Sequence, residues 1–207
     1  MSEYIPVDLK SIFINPRRPY LLGATLGQDL MAQVQSDLNL AEQEDCALIL
    51  DLEEVAAINA SFLKATVFWA FQCGQAEARK EHAASTERWS IRPLRLFPIV
   101  SKCTGEVKEE VDEFFRGRNC PLLQLGEKDN ATVLGALDAA LDRTRALLSA
   151  AGEATAAHLA AQGQEKISIN GWNNRLADLH VLRLATRRRE GKFWIYSPAE
   201  NGVAIWA

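Results

Sequence analysis

The sequence predicts an α/β chain, a largely parallel sheet with crossover helices followed by a smaller α+β module. Three observations carry this. Short apolar runs alternate with longer amphipathic stretches through the first 150 residues, the order that builds parallel strands joined by helices. The run Cys46-Ala-Leu-Ile-Leu-Asp-Leu52 has no polar alternation, as expected of a central strand buried on both faces. The charge also changes sign along the chain, from -6 over residues 1–151 to +2 over 152–207. A length of 207 residues accommodates two small domains, and the expected division is 1–150 and 151–207.

The elements follow in order. Weak strands are expected at Ile5–Leu9, Ile12–Ile14 and Tyr20–Leu22. A helix carries Leu26, Leu30, Val34 and Leu38 on one face. After the strand at 46–52, Ala60–Gln75 reads as a helix too apolar for an open surface. Arg92–Val100 is a strand that Pro93 and Pro98 make irregular or assign to a sheet edge, and the polar stretch 77–91 before it is an exposed helix end and loop. Thr104 is the expected cap of a helix over Gly105–Arg116, whose glutamates suit its first turns. Pro121–Leu125 is a last short strand. Asn130 or Thr132 then opens a long helix reaching about Ser149.

Composition narrows the function. With 48% hydrophobic and 24% charged residues the chain is globular, neither fibrous nor wholly disordered. No apolar run reaches the roughly 20 residues of a membrane span, and the first residues lack the pattern of a signal peptide; the expectation is a cytoplasmic protein with no membrane partner. Cysteines at 46, 73, 103 and 120 and histidines at 82, 158 and 180 are too scattered for a ligand motif, so no metal is expected. Neither a phosphate-cradling glycine loop nor a nucleophile elbow occurs. The chain is therefore expected to be non-enzymatic, without catalytic residues or a cofactor.

The stretch Leu48-Ile-Leu-Asp-Leu-Glu-Glu-Val-Ala-Ala-Ile-Asn-Ala-Ser-Phe-Leu63 resembles the central strand, loop and helix start of STAS domains, the fold of anti-sigma factor antagonists, and is most similar to the STAS-like group. The resemblance covers about residues 1–150 and implies a mixed sheet with helices and a protein-binding or sensing role. Asn59, Ala60, Ser61, Phe62 and Leu63 stand where that family has its acid, serine, serine or threonine, glycine and leucine. Ala60 occupies the switching-serine position, so the standard phosphoswitch is missing. Two readings stand for the neighbouring Ser61: the ordinary helix N-cap, and a phosphorylation or partner switch at a helix start that welcomes anions.

Beyond Gly152 come a short helix (153–162) and then, within Ile167–Leu184, a turn and a second helix. Its buried stripe is Trp172, Leu176, Leu179 and Leu182. Ala185–Arg189 and Phe193–Ser197 then face each other across Glu190-Gly191-Lys192, a hairpin signal. The segment Ser168-Ile-Asn-Gly-Trp-Asn-Asn-Arg-Leu-Ala-Asp-Leu-His-Val-Leu-Arg-Leu-Ala-Thr-Arg187 resembles the recognition helix and following strand of bacterial winged helix-turn-helix regulators, a likeness of about 50 residues, although His180-Val-Leu-Arg replaces the usual small-residue turn.

That resemblance implies double-stranded DNA as partner. Asn170, Asn173, Asn174 and Arg175 could reach base edges or phosphates, and Arg187, Arg188, Arg189 and Lys192 could neutralise phosphates from the wing. Alternatively, Arg175 forms a salt bridge with Asp178 or Glu165, and the arginine triplet is a solvated strand edge. The expected function is a bacterial regulator, a homodimer whose STAS-like domain senses a protein or small ligand and whose winged helix binds DNA. The alternative is a protein-interaction adaptor in a partner-switching or defence system, with the winged helix as a docking module.

Overall fold

A strand without polar alternation needs apolar cover on both sides, and the way the chain supplies it organises the whole molecule. The computed structural model describes residues 9–82, 91–126, 131–162 and 165–203. Strand β1 (Lys10–Ile14) and the two-residue β2 (Tyr20–Leu21) precede helices α1 (Ala24–Gln33) and α2 (Gln35–Leu38). Strand β3 (Cys46–Asp51) leads through β4 (Ala57–Ile58) into α3 (Ala60–Ala65) and α4 (Val67–His82). Next come β5 (Leu96–Ser101), α5 (Gly105–Arg116), β6 (Pro121–Leu125) and β7 (Ala131–Gly135). The chain continues with α6 (Ala139–Ala151), α7 (Ala156–Gln162), α8 (Ile169–Val181) and the hairpin β8 (Ala185–Glu190) and β9 (Phe193–Pro198).

The molecule is α/β. Its main sheet has the order β1-β3-β5-β6-β7, with the first four strands parallel and β7 antiparallel to β6. Each crossover advances one strand in the same direction, and because such crossovers are right-handed, the connecting helices all fall on one face. Accordingly Leu30, Met31, Phe62, Val67, Val111 and Phe115 from α1, α3, α4 and α5 share a core with Ile12, Leu48, Leu50, Val100 and Leu122.

The opposite face is equally apolar. Ile49, Ile99, Leu123 and Val133 lie in register across four strands, and with Phe97 they are covered by Trp172, Leu176 and Leu179 of α8, Leu148 of α6, Leu159 of α7 and Tyr196 of β9. Trp172, Leu176 and Leu179 are wholly buried. Position 150, where two domains were expected to meet, lies within α6, and the second core draws on residues from both sides of it.

Several local expectations change. Ala131–Gly135 is an edge strand, not the start of a helix; Asp138 accepts from the amides of Ala140 (2.8 Å) and Leu141 (3.4 Å), so the helix begins at Ala139. Gly135 has φ +81°, and a Cβ there would stand 2.2 Å from the Cys120 carbonyl oxygen, so the strand can end this way only with glycine. Asn130 itself lies outside the described residues, as do 5–8 of the first expected strand and 83–90 of the polar connection. The helix expected over 60–75 is broken at Thr66, whose hydroxyl donates to the Phe62 carbonyl at 2.9 Å. Thr104 makes no side-chain cap. At Gly74 an added Cβ would lie 2.3 Å from the Leu96 carbonyl oxygen; only glycine lets α4 pass so close to β5. Among the described residues no helix is long and apolar enough to cross a membrane.

Candidate nucleic-acid interface

Helix α8 begins at Ser168, whose hydroxyl accepts from the Gly171 amide at 3.2 Å. Its apolar stripe faces the sheet, so the spacing of 3.6 residues per turn leaves Asn170, Asn173 and Asn174 on the exposed side. The side chains of these three form no hydrogen bond among the described residues. Arg175, at the margin of this side, donates to Glu165 at 2.6 Å. Glu165 also accepts from Arg143 at 2.9 Å, and the two guanidiniums hold its carboxyl below the usual range. Of the two readings of Arg175, the ion pair with Glu165 is thus the one present in the structure.

The end of α8 is closed by a left-handed residue. Arg183 has φ +60°, and the Leu184 amide donates to the Leu179 carbonyl at 2.9 Å, a closure that ordinarily takes glycine. An arginine stands there because its side chain is used: it donates to the Gly74 carbonyl and lies over Phe97, 4.9 Å from the ring centroid. The departure from a small-residue turn seen in the sequence is therefore a tie between α8 and the sheet.

The hairpin divides its cations. Arg187 is only 9% exposed; it stacks 4.2 Å from the centroid of Trp194 and stands opposite Tyr196, its cross-strand neighbour. Burial pushes the Tyr196 hydroxyl above its ordinary value and Arg187 partly offsets this. Arg188 is bound on both sides, by Glu153 and Glu190 at 2.9 Å each. Arg189 and Lys192 are exposed near the tip, Arg189 donating to the Gly191 carbonyl at 3.3 Å and lying 5.9 Å from Trp194. Beside them Phe193 and Trp194 are 67% and 39% exposed. Sequence reasoning missed these two aromatics, and Glu153; the signal was the Phe-Trp pair directly after the glycine turn, where only apolar strand positions were seen.

Ser61 has a different place from the one expected. Asn59 is the cap of α3, its side-chain oxygen accepting from the Phe62 amide (3.0 Å) and the Gly23 amide (3.1 Å). Ser61 therefore sits in the first turn, exposed, on the rim of an open groove of about 670 Å³ between α1–α2 and α3–α4, with Lys64, Trp69, Met31 and Gln28 around it. The cap could have been read from Asn59, since asparagine is as good an N-cap as serine. The thiols fit a structural role: burial pushes Cys73 up to about 12 and Cys46 and Cys103 up to about 11. No group of metal-ligating side chains occurs among the described residues. Compared with protein-family models, curated proteins and solved structures, the chain gives no match.

Proposed function

We propose that this chain is a non-enzymatic, DNA-binding regulator. In this reading α6, the bridge between Ala154 and Tyr196, α7, α8 and the β8–β9 hairpin correspond in order to the helix, strand, helix, recognition helix and wing of a winged helix. The unit would thus start at α6 rather than at residue 151. The preceding strands and helices form the STAS-like part, with the groove beside Ser61 as its surface for a protein partner.

The observation that carries the proposal is the exposed trio Asn170, Asn173 and Asn174. Asparagine costs up to about 0.7 kcal/mol relative to alanine inside a helix, and these three offset nothing through bonds within the described protein. Side-chain amides are suited to adenine edges in a major groove. Arg189 and Lys192 at the wing tip supply the phosphate contacts. A unit with so few free cations binds weakly alone, and a homodimer on a two-fold site joins two such contacts.

Selection of duplexes from a random pool by the full chain tests this. A preferred site should emerge, Asn173→Ala or Asn174→Ala should cost about 1–3 kcal/mol at one base position, and Arg189→Ala or Lys192→Ala should flatten the salt slope by about one unit each. Failure to retain any duplex at low salt refutes the proposal. A second reading, the adaptor with a winged-helix docking module, is favoured by the exposed Phe193 and Trp194 and by the carboxylates that hold Arg188; it gains if a protein, and no duplex, binds the hairpin.

A further inference from the structure

The solvent side of α8 carries a large apolar side chain as well as its asparagines. Ile169, the first residue of the helix, is 52% exposed and belongs to neither core. The helical repeat sets Asn173 one turn beyond Ile169, with Asn170 and Asn174 alongside. An aliphatic group and several uncommitted amides therefore stand together at the end of the helix that, in a helix-turn-helix, comes nearest the base edges.

The same side lacks a guanidinium. Arg175 is the only arginine or lysine in α8, and it is held at the margin, donating to Glu165 at 2.6 Å and lying 5.5 Å from the centroid of the Trp172 ring. Arg143 also donates to Glu165, at 2.9 Å, so freeing Arg175 disrupts a network of three charged groups. Lys166 is exposed but lies ahead of the Ser168 cap. Guanine offers N7 and O6 as acceptors and is matched by the paired donors of arginine or by lysine, while cytosine offers its N4 donor to a carboxylate. Asp178, the only carboxylate of the helix, is already engaged. An asparagine amide matches adenine instead, its oxygen accepting from N6 and its nitrogen donating to N7, and an aliphatic group matches the C5-methyl of thymine. Both features lie on the major-groove edge of a single A·T pair.

We propose that α8 reads A·T pairs, its exposed asparagines taking adenine edges and Ile169 packing on a thymine methyl group, so that the half-site holds A·T rather than G·C pairs beneath the helix. The inference rests on the DNA-binding reading and adds to it the identity of the bases and a specificity-determining role for Ile169.

The test takes the duplex that the full chain selects from a random pool and measures its affinity by fluorescence anisotropy at one fixed salt concentration. A·T pairs should fill the selected positions, and exchanging one of them for G·C should weaken binding about tenfold. Two base analogues then address single atoms. Replacing adenine by 7-deazaadenine, which lacks the N7 acceptor, should weaken binding to the parent chain but not to whichever of Asn173→Ala and Asn174→Ala has lost the preference at that base. Replacing thymine by uracil, which lacks the methyl group, should cost about threefold in the parent and nothing in Ile169→Ala. All three substitutions are at exposed positions, and an unchanged melting temperature verifies that each variant is folded. Selection of guanine or cytosine at these positions overturns the proposal. So does an A·T preference indifferent to both analogues, which assigns recognition to the shape of the groove. Duplexes retained without any base preference overturn it as well and leave non-specific DNA binding standing, whereas a chain that retains no duplex at all refutes the DNA-binding reading itself.

Discussion

The two faces of the sheet are similarly apolar but are covered in opposite ways. On the first face each helix is threaded between the strands it covers, so α1 to α5 arrive with the sheet itself. The second face is covered by α6, α7, α8 and the hairpin, all C-terminal to the last strand. A charge break and a change of element pattern suggested two independent modules; among the described residues the later one packs on Ile49, Ile99 and Leu123. When the sheet is wound in a single direction, one of its faces is left for elements that come later in the chain.

The strongest way to break this comparison is truncation after Ala151. The fragment bares Phe97, Ile99 and Ile49, so it should aggregate or lose its sharp thermal transition in calorimetry; a soluble fragment with a cooperative unfolding curve would restore the two-module view. Next in size, Trp172→Ala on the second face and Phe62→Ala on the first should each cost about 3–5 kcal/mol, both residues being fully buried. Measured by denaturant unfolding, each should shift the whole transition rather than part of it. A biphasic curve for either would separate the faces.

A smaller effect probes the seam. Gly74→Ala sets a methyl group against the Leu96 carbonyl and the Arg183 side chain and should lose about 1–3 kcal/mol through overpacking, again visible as a lower midpoint. The smallest contrast concerns caps. Asn59→Ala should lose about 1 kcal/mol and Ser61→Ala less than about 0.5 kcal/mol in the same measurement; the reverse ranking would return the cap to Ser61.

The elements legible in the sequence were those with strong local signals. The run at 46–51, the amphipathic α5 with Val107, Val111, Phe114 and Phe115 buried, and the hairpin around Gly191 all lie close to where periodicity and turn chemistry put them. Ala131–Gly135 misled because Val133 and Leu134 suit either period, and the decision was made by pairing with β6, a contact no local pattern contains. In the candidate interface the asparagines were legible as exposed because Trp172, Leu176 and Leu179 fix the buried side of α8. The fate of the arginines was not. Whether Arg187 meets solvent or Trp194 and Tyr196 depends on tertiary packing, and a triplet of arginines reads alike in both cases.

Single-direction winding also sets a timetable. As the chain leaves the ribosome, the first face can close while the sheet is being made, but the second stays bare until the stretch from Ala136 to Val203 has followed. At about 5–20 residues per second this takes roughly 3–14 s, far longer than the microsecond scale of helix formation. During that interval a sheet with Ile49, Phe97, Ile99 and Leu123 uncovered is a target for holding chaperones and a hazard for neighbouring nascent chains. Synonymous changes that slow translation across α6 to β9 should therefore lower soluble yield without altering the protein made.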